Sequence, residues 1–103
     1  MLAELEVLPV GTGTASLSVH LARVAKLIDS SGLDYRVGPM GTVVEGDWDA
    51  IMALAAKCRA AALEIADRVI LSIRIDDRKD KSGPRMEQKV RALEAAAGLT
   101  FKR

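Results

Sequence analysis

The chain has little of what several functional classes depend on. It holds one cysteine, one histidine and three aromatic residues among 103 amino acids. A lone cysteine cannot form an internal disulfide, and three aromatics are too few for a platform on which single-stranded bases stack. Joint catalysis or metal binding by His20 and Cys58 is also disfavoured, because they fall on different predicted helices with no further ligand cluster nearby.

An excess of one charge and a long apolar run are missing as well. The 15 Lys and Arg are balanced by 14 Asp and Glu, so no long-range field attracts a polyanion. Charged residues interrupt every apolar stretch before the roughly 18 residues that a membrane span needs. No basic segment and apolar run precede a small-residue cleavage site. We therefore expect a soluble cytoplasmic protein whose partners include neither nucleic acid nor a membrane.

What the chain does have is enough apolar residues, 50% of the total, for the core of one domain spanning residues 1–103. Period-two alternation over Leu2–Leu8 predicts a half-buried strand, which Pro9 and the glycines after it should end. From Ser16 onward, apolar residues recur at helical spacing as far as Ile28, which predicts the first helix.

The rest of the chain predicts a hairpin, two further helices and one more strand. Two short β-prone stretches, Tyr35–Gly38 and Thr42–Glu45, flank a turn rich in glycine and proline and predict the hairpin. Asp47 or Asp49 can cap a second helix. Alternation makes Arg68–Asp76 the clearest strand. A last helix should follow the Gly-Pro pair at 83–84.

This element order predicts an α+β fold. With right-handed crossovers it gives a ferredoxin-like βαββαβ antiparallel sheet, in the order 4-1-3-2, with an additional C-terminal helix. One face of the sheet should carry the helices and the other, which we call the far face, should carry none. Alternation puts these residues on the far face: Glu4, Glu6, Val43, Glu45, Ile70, Ser72 and Arg74.

Three segments also carry a family resemblance: LEVLPVGTGTASLSVHLARV, GPMGTVVEG and RVILSIRIDDRKDK. In order and spacing they resemble the signature of the thiamine-binding proteins, a family of small proteins once catalogued as uncharacterised. The resemblance implies a ferredoxin-like fold and assembly into homodimers or homotetramers. It further implies binding of thiamine or its hydroxymethylpyrimidine moiety without chemical conversion, with no other cofactor.

One candidate site lies where antiparallel neighbours should bring the end of the first strand beside the starts of the third and fourth. This edge is expected to gather Thr12, Ser16, Met40, Gly41 and Thr42. Free backbone N–H groups at a helix start, together with hydroxyls, could hold a polar heterocycle or an anion. The alternative is that the hydroxyls cap the helix, the glycines permit the turn and Met40 fills the core.

A second candidate site lies at the opposite end of the far face. There Glu4, Glu45 and Arg74 should lie close together, with Glu6 and Ser72 one step inward. More acids than bases leave negative charge, which suits a cationic thiazolium or a protonatable aminopyrimidine. Glu45 is the expected main carboxylate for the ligand. The alternative is an intersubunit salt-bridge network.

Two other motifs are set aside. The aspartates of residues 76–80 lack the glycine and terminal glutamate of an EF-hand, and Gly11-x-Gly13 lacks the third glycine of a dinucleotide fingerprint. No nucleophile, base and orienting group can be combined, so an enzyme is not expected. The leading hypothesis is non-catalytic binding of thiamine or hydroxymethylpyrimidine by a homo-oligomer. The alternative is a regulatory or structural self-assembling module that binds no thiamine.

Overall fold

The four strands form an antiparallel sheet in the predicted order. The computed structural model describes residues 1–103. Read from one edge the order is β2-β3-β1-β4, which is 4-1-3-2 from the other, so the ferredoxin-like α+β fold with an additional C-terminal helix is confirmed. The elements are β1 Leu2–Val10, α1 Ser18–Asp29, β2 Asp34–Val37, β3 Thr42–Glu45, α2 Trp48–Leu63, β4 Arg68–Asp76 and α3 Arg85–Ala97.

The core lies between one face of the sheet and the helices α1 and α2. Ile51, Val44 and Cys58 are its largest fully buried side chains. Asp47 starts α2 as predicted, since its Oδ1 accepts a hydrogen bond from the Ala50 N–H at 2.8 Å. Burial raises the pKa of the Cys58 thiol, which keeps it protonated and unreactive. Cys58 is therefore part of the packing.

β1 continues through Pro9, so the prediction that Pro9 ends this strand is wrong. Met1 and Gly46 exchange two backbone hydrogen bonds, of 2.7 and 3.0 Å. Because pairs alternate along an antiparallel ladder, every second residue from Met1 directs its N–H and C=O toward β3. Pro9 is one of them. The pairing of β1 with β3 stops at Leu5, so no residue of β3 lies opposite Pro9. The missing N–H therefore costs no bond with β4, as for prolines at sheet edges.

Two other predicted boundaries shift. α1 begins at Ser18 rather than Ser16, after Leu17 at the N-cap, which makes no side-chain capping bond. The preceding hydroxyls are used within the loop instead, because Thr12 Oγ1 donates to the Thr14 carbonyl at 3.2 Å. Gly38 leaves β2 for the turn, where its N–H donates to the Gly41 carbonyl at 2.8 Å.

The far face is not free of helices, contrary to the prediction, because α3 lies across one end of it. Residues directly opposite each other share a face, so Glu45 points to the same side as Leu2 and Asp76. The Glu45 carboxylate accepts the first two N–H groups of α3, and Lys89 pairs with Asp76. α3 has no fully buried residue. Its docking depends on polar contacts that apolar periodicity cannot predict.

Acid is expected to weaken this docking. The hydrogen bond and charge of Lys89 hold the pKa of Asp76 below its usual range. Since the folded pKa lies below the unfolded value of about 3.9, the stabilisation is complete above that value and is lost as pH falls through the folded pKa. We expect Asp76→Asn to lower the melting temperature at pH 7 and to have a vanishing effect toward pH 2.5. A difference that is independent of pH would contradict this prediction.

Candidate functional site

One concavity is an edge groove, formed where β1 runs on beyond the end of β3. Its floor is the unpaired edge of β1, one wall is α1 and the other is the turn between β2 and β3. Its volume of about 470 Å³ lies within the range of small-molecule sites. The groove is lined by Leu5, Glu6, Val7, Leu8, Leu17, Leu21, Val24, Ala25, Ile28, Val37, Gly38, Pro39, Met40, Gly41 and Thr42.

The groove is mostly apolar, with few polar groups. Helix α1 contributes only apolar residues, among them Leu21 and Val24. Thr42 stands opposite Leu5 in the ladder, so its hydroxyl is on the helix side of the sheet. Met40 is 81% exposed at the rim and does not fill the core. An amphipathic ring could therefore pack on the α1 wall and meet polar partners near β1.

Gly41 brings the turn against β1. A Cβ at this position would lie 3.3 Å from the Leu5 carbonyl oxygen and 3.4 Å from Glu4 Cγ. Those distances are tighter than usual for a side-chain carbon, so a larger residue would push the turn away from the strand. Glycine here keeps the turn and the groove wall close to β1.

The structure brings together four of the nine sequence-predicted ligand residues: Glu6, Met40, Gly41 and Thr42. Thr12 lines a separate hollow in the loop that follows β1, which shares Leu8 and Leu17 with the groove. Ser16 Oγ lies 3.4 Å from Ser18 Oγ and lines neither. The predicted gathering at one edge is thus only partial, because β3 starts opposite Leu5 and not opposite the end of β1.

The predicted charge cluster on the far face also divides in two. Arg74 Nη2 lies 3.2 Å from Glu4 Oε1, as expected, but the arginine is 84% exposed, so the pair contributes little stability. Glu6 and Ser72 are exposed neighbours across the β1–β4 ladder. Glu45 forms no ion pair with Arg74, and both of its oxygens accept hydrogen bonds from α3 instead.

A further hollow lies between the turn, the far face and α3, and the candidate residues Glu4, Met40 and Gly41 are among those that line it. Its volume is about 600 Å³, and Arg36, Glu87 and Arg103 are its main charged residues. Glu87 Oε1 is 2.6 Å from Arg103 Nη1, and the bonds from Arg103 and then Arg91 hold the pKa of Glu87 below its usual range. These charges are neutralised within the chain. The edge groove is therefore the better candidate for a ligand.

No group of three or more His, Cys, Asp or Glu side chains is arranged to hold a metal ion. None of the helices has both the length and the apolar character required to cross a membrane.

Comparison with known proteins gives consistent matches along the chain. The family model described as thiamine-binding protein matches residues 3–94, a range that contains every candidate residue above. A UPF0045 protein from Methanocaldococcus jannaschii is 34% identical over 93 residues, which cover 90% of this chain and 91% of that protein. A UPF0045 protein from Bacillus subtilis is 31% identical and covers 89% of this chain and 92% of its own.

Solved structures match the chain over most of its length as well. A hypothetical protein from Methanocaldococcus jannaschii superposes with a TM-score of 0.82 at 34% identity, over 89% of this chain and 93% of that one. A protein from Thermotoga maritima, described as a candidate thiamine biosynthesis/salvage protein, superposes with a TM-score of 0.76 at 27% identity. That match covers 89% of this chain and 96% of the other.

Proposed function

The chain belongs to the thiamine-binding protein family, and we propose that it binds thiamine or its hydroxymethylpyrimidine moiety in the edge groove without converting it. The observation that carries this proposal is the groove itself. It has a volume of about 470 Å³, an apolar wall on α1, and Glu6 and Thr42 among its lining residues. This combination suits a flat, partly polar ring system.

Binding without catalysis follows from the groups available. Thr42 is the polar side chain that faces the groove. Glu6 also lines the groove, but alternation puts its carboxylate on the far face, and no histidine, cysteine or lysine lines the groove. The Thr42 hydroxyl can donate to or accept from a heterocycle. Neither residue has a base or an orienting partner that would make it a nucleophile. The protein would thus act as a carrier or a sensor.

The hydroxyl of Thr42 is expected to bond the ligand. Thr42→Val keeps the shape and removes the hydroxyl, and we expect it to weaken binding several-fold, since one such hydrogen bond contributes about 0.5–1.5 kcal/mol. Titration calorimetry with thiamine, thiamine phosphates and hydroxymethylpyrimidine measures this directly. Ser16→Ala is the matched comparison, and a similar loss there would extend the site into the loop. Unchanged affinity in Thr42→Val, with tight binding by the parent, would contradict this placement of the ligand.

We also propose that the protein is cytoplasmic and that it is a homodimer or homotetramer, assembled through the half of the far face that α3 leaves open. Leu8 and Ile70 are paired there across β1 and β4, and they are 37% and 44% exposed. Exposed apolar pairs among charges are typical of surfaces that bind another copy. Ser72 and Arg74 would face the partner. The same observation supports the second candidate function, a self-assembling module that binds no thiamine.

Self-association is expected at micromolar concentration. Sedimentation should give a mass of two or four times the 11.0 kDa of the chain. Ile70→Asp should shift the mass toward the monomer, because it places a charge in the apolar centre of the proposed interface. Lys57→Asp, on the exposed side of α2, is the control. A parent protein of 11 kDa would remove the interface proposal and leave the groove proposal untouched.

A further inference from the structure

The floor of the edge groove carries one residue whose backbone N–H and C=O both have no partner. Met1 forms a hydrogen-bonded pair with Gly46, so the next such pairs toward β3 are Ala3 with Val44 and Leu5 with Thr42. The following position on β1 is Val7. The chain opposite Val7 has already turned away, because the turn closes between Gly38 and Gly41.

Val7 is also the only residue of this open edge that can donate. The next residue directed toward the same side is Pro9, which has no N–H. The edge therefore presents the Val7 N–H and C=O side by side, whereas the next residue directed to that side, Pro9, is buried and has no N–H. A longer strand could not pair fully with such an edge. A small ring with one acceptor and one donor on adjacent atoms could form hydrogen bonds with both groups of Val7.

We propose that Val7 recognises the 4-aminopyrimidine ring through its main chain. The Val7 N–H donates to the ring nitrogen beside the amino-bearing carbon, and the exocyclic amino group donates to the Val7 carbonyl. The ring thus takes the place that one residue of a longer β3 would occupy. This inference rests on the proposed function, and it assigns the ring to a defined position, next to Thr42 and against the α1 wall.

Hydrogen exchange measured by NMR on the full chain tests the inference with hydroxymethylpyrimidine as the probe. In the free protein the Val7 amide should exchange at least about tenfold faster than the amides of Glu6 and Leu8, which face β4. Saturating hydroxymethylpyrimidine should slow the Val7 amide at least about tenfold and change the other two much less.

The outcomes separate this inference from the proposed function. Calorimetric binding with no change at the Val7 amide would overturn the inference and leave the proposed function standing. Failure to bind any thiamine-related compound would overturn both. A Val7 amide that is already protected without ligand, more strongly as protein concentration rises, would show that a second copy covers the edge and would also overturn the inference.

Matched variants give a second readout. Val7→Pro removes the N–H but leaves the ladder with β4 intact, as Pro9 does, whereas Val7→Ala trims the side chain and keeps the N–H. We expect Val7→Pro to bind hydroxymethylpyrimidine about tenfold more weakly than Val7→Ala does. The parent should bind the analogue that lacks the amino group about tenfold more weakly than the amino compound. Equal affinities within either comparison would overturn the inference. If Val7→Pro does not fold, the exchange measurement decides alone.

Discussion

Replacing Glu45 with alanine is expected to release the first turn of α3 from the far face. One carboxylate oxygen accepts the Arg85 N–H at 2.6 Å, and the other accepts the Met86 N–H at 2.9 Å. Hydrogen bonds to a charged group contribute about 1.5–3 kcal/mol, and negative charge also favours a helix N-terminus. Since little apolar burial holds α3, we expect a loss of about 1.5–3 kcal/mol of unfolding free energy and faster amide exchange throughout α3.

Two further variants show whether Glu45 serves the helix or a ligand. Glu45→Gln keeps one acceptor oxygen and should lose less stability than Glu45→Ala. Asp77→Ala is the control, because the exposed Asp77 carboxylate makes no hydrogen bond or ion pair in the structure. If Glu45→Gln keeps its melting temperature and α3 exchange but binds hydroxymethylpyrimidine more weakly, the carboxylate serves the ligand, as the sequence predicted, and the capping role is wrong.

Replacing Ile51 with alanine is expected to destabilise the protein more than any other change considered. Ile51 lies on the sheet-facing side of α2 with no exposed surface. Truncation of a fully buried isoleucine to alanine costs about 2–5 kcal/mol, because the lost contacts are only partly recovered by relaxation. A domain of this size has only about 5–15 kcal/mol of stability in total. Urea denaturation should show a large fall in the midpoint with little change in slope.

Graded controls come from the same helix and the same position. Ile51→Val removes one methyl group and should cost only about 0.5–1.5 kcal/mol. Leu63→Ala, at a position that is 40% exposed near the end of α2, should cost clearly less than Ile51→Ala. If Ile51→Ala and Leu63→Ala were equally destabilising, the core would not be centred on Ile51.

The sequence predicted those elements whose own periodicity is strong. Arg68–Asp76 and Thr42–Glu45 match the observed strands residue for residue, because alternating aliphatic residues specify both a strand and its buried face. Asp47 was one of two predicted caps, and the structure selects it. Right-handed connections then left one economical strand order.

The groove was harder to predict because it depends on where strands meet. A pattern along one strand does not say how far a neighbour extends beside it, and β3 has four residues against nine in β1. The predicted convergence assumed that the strands end together. Glu45 illustrates a related difficulty, since its partners are 40 and 41 residues away in the sequence and are backbone groups with no residue-type signal. Met40 and Thr42 were expected to lie together because they are two residues apart in the chain, in the turn and at the start of β3, and both line the groove.

Pro9 has a consequence for solubility. An exposed strand edge is a template on which chains can stack into cross-β fibres, and proteins commonly limit this with prolines or charges at the edge. β1 leaves its edge unpaired from Glu6 onward, in an apolar setting that would otherwise favour such growth. Because Pro9 cannot donate, a strand that added to this edge would lack one ladder bond there. The chain can thus leave this edge unpaired and still resist growth into fibrils there.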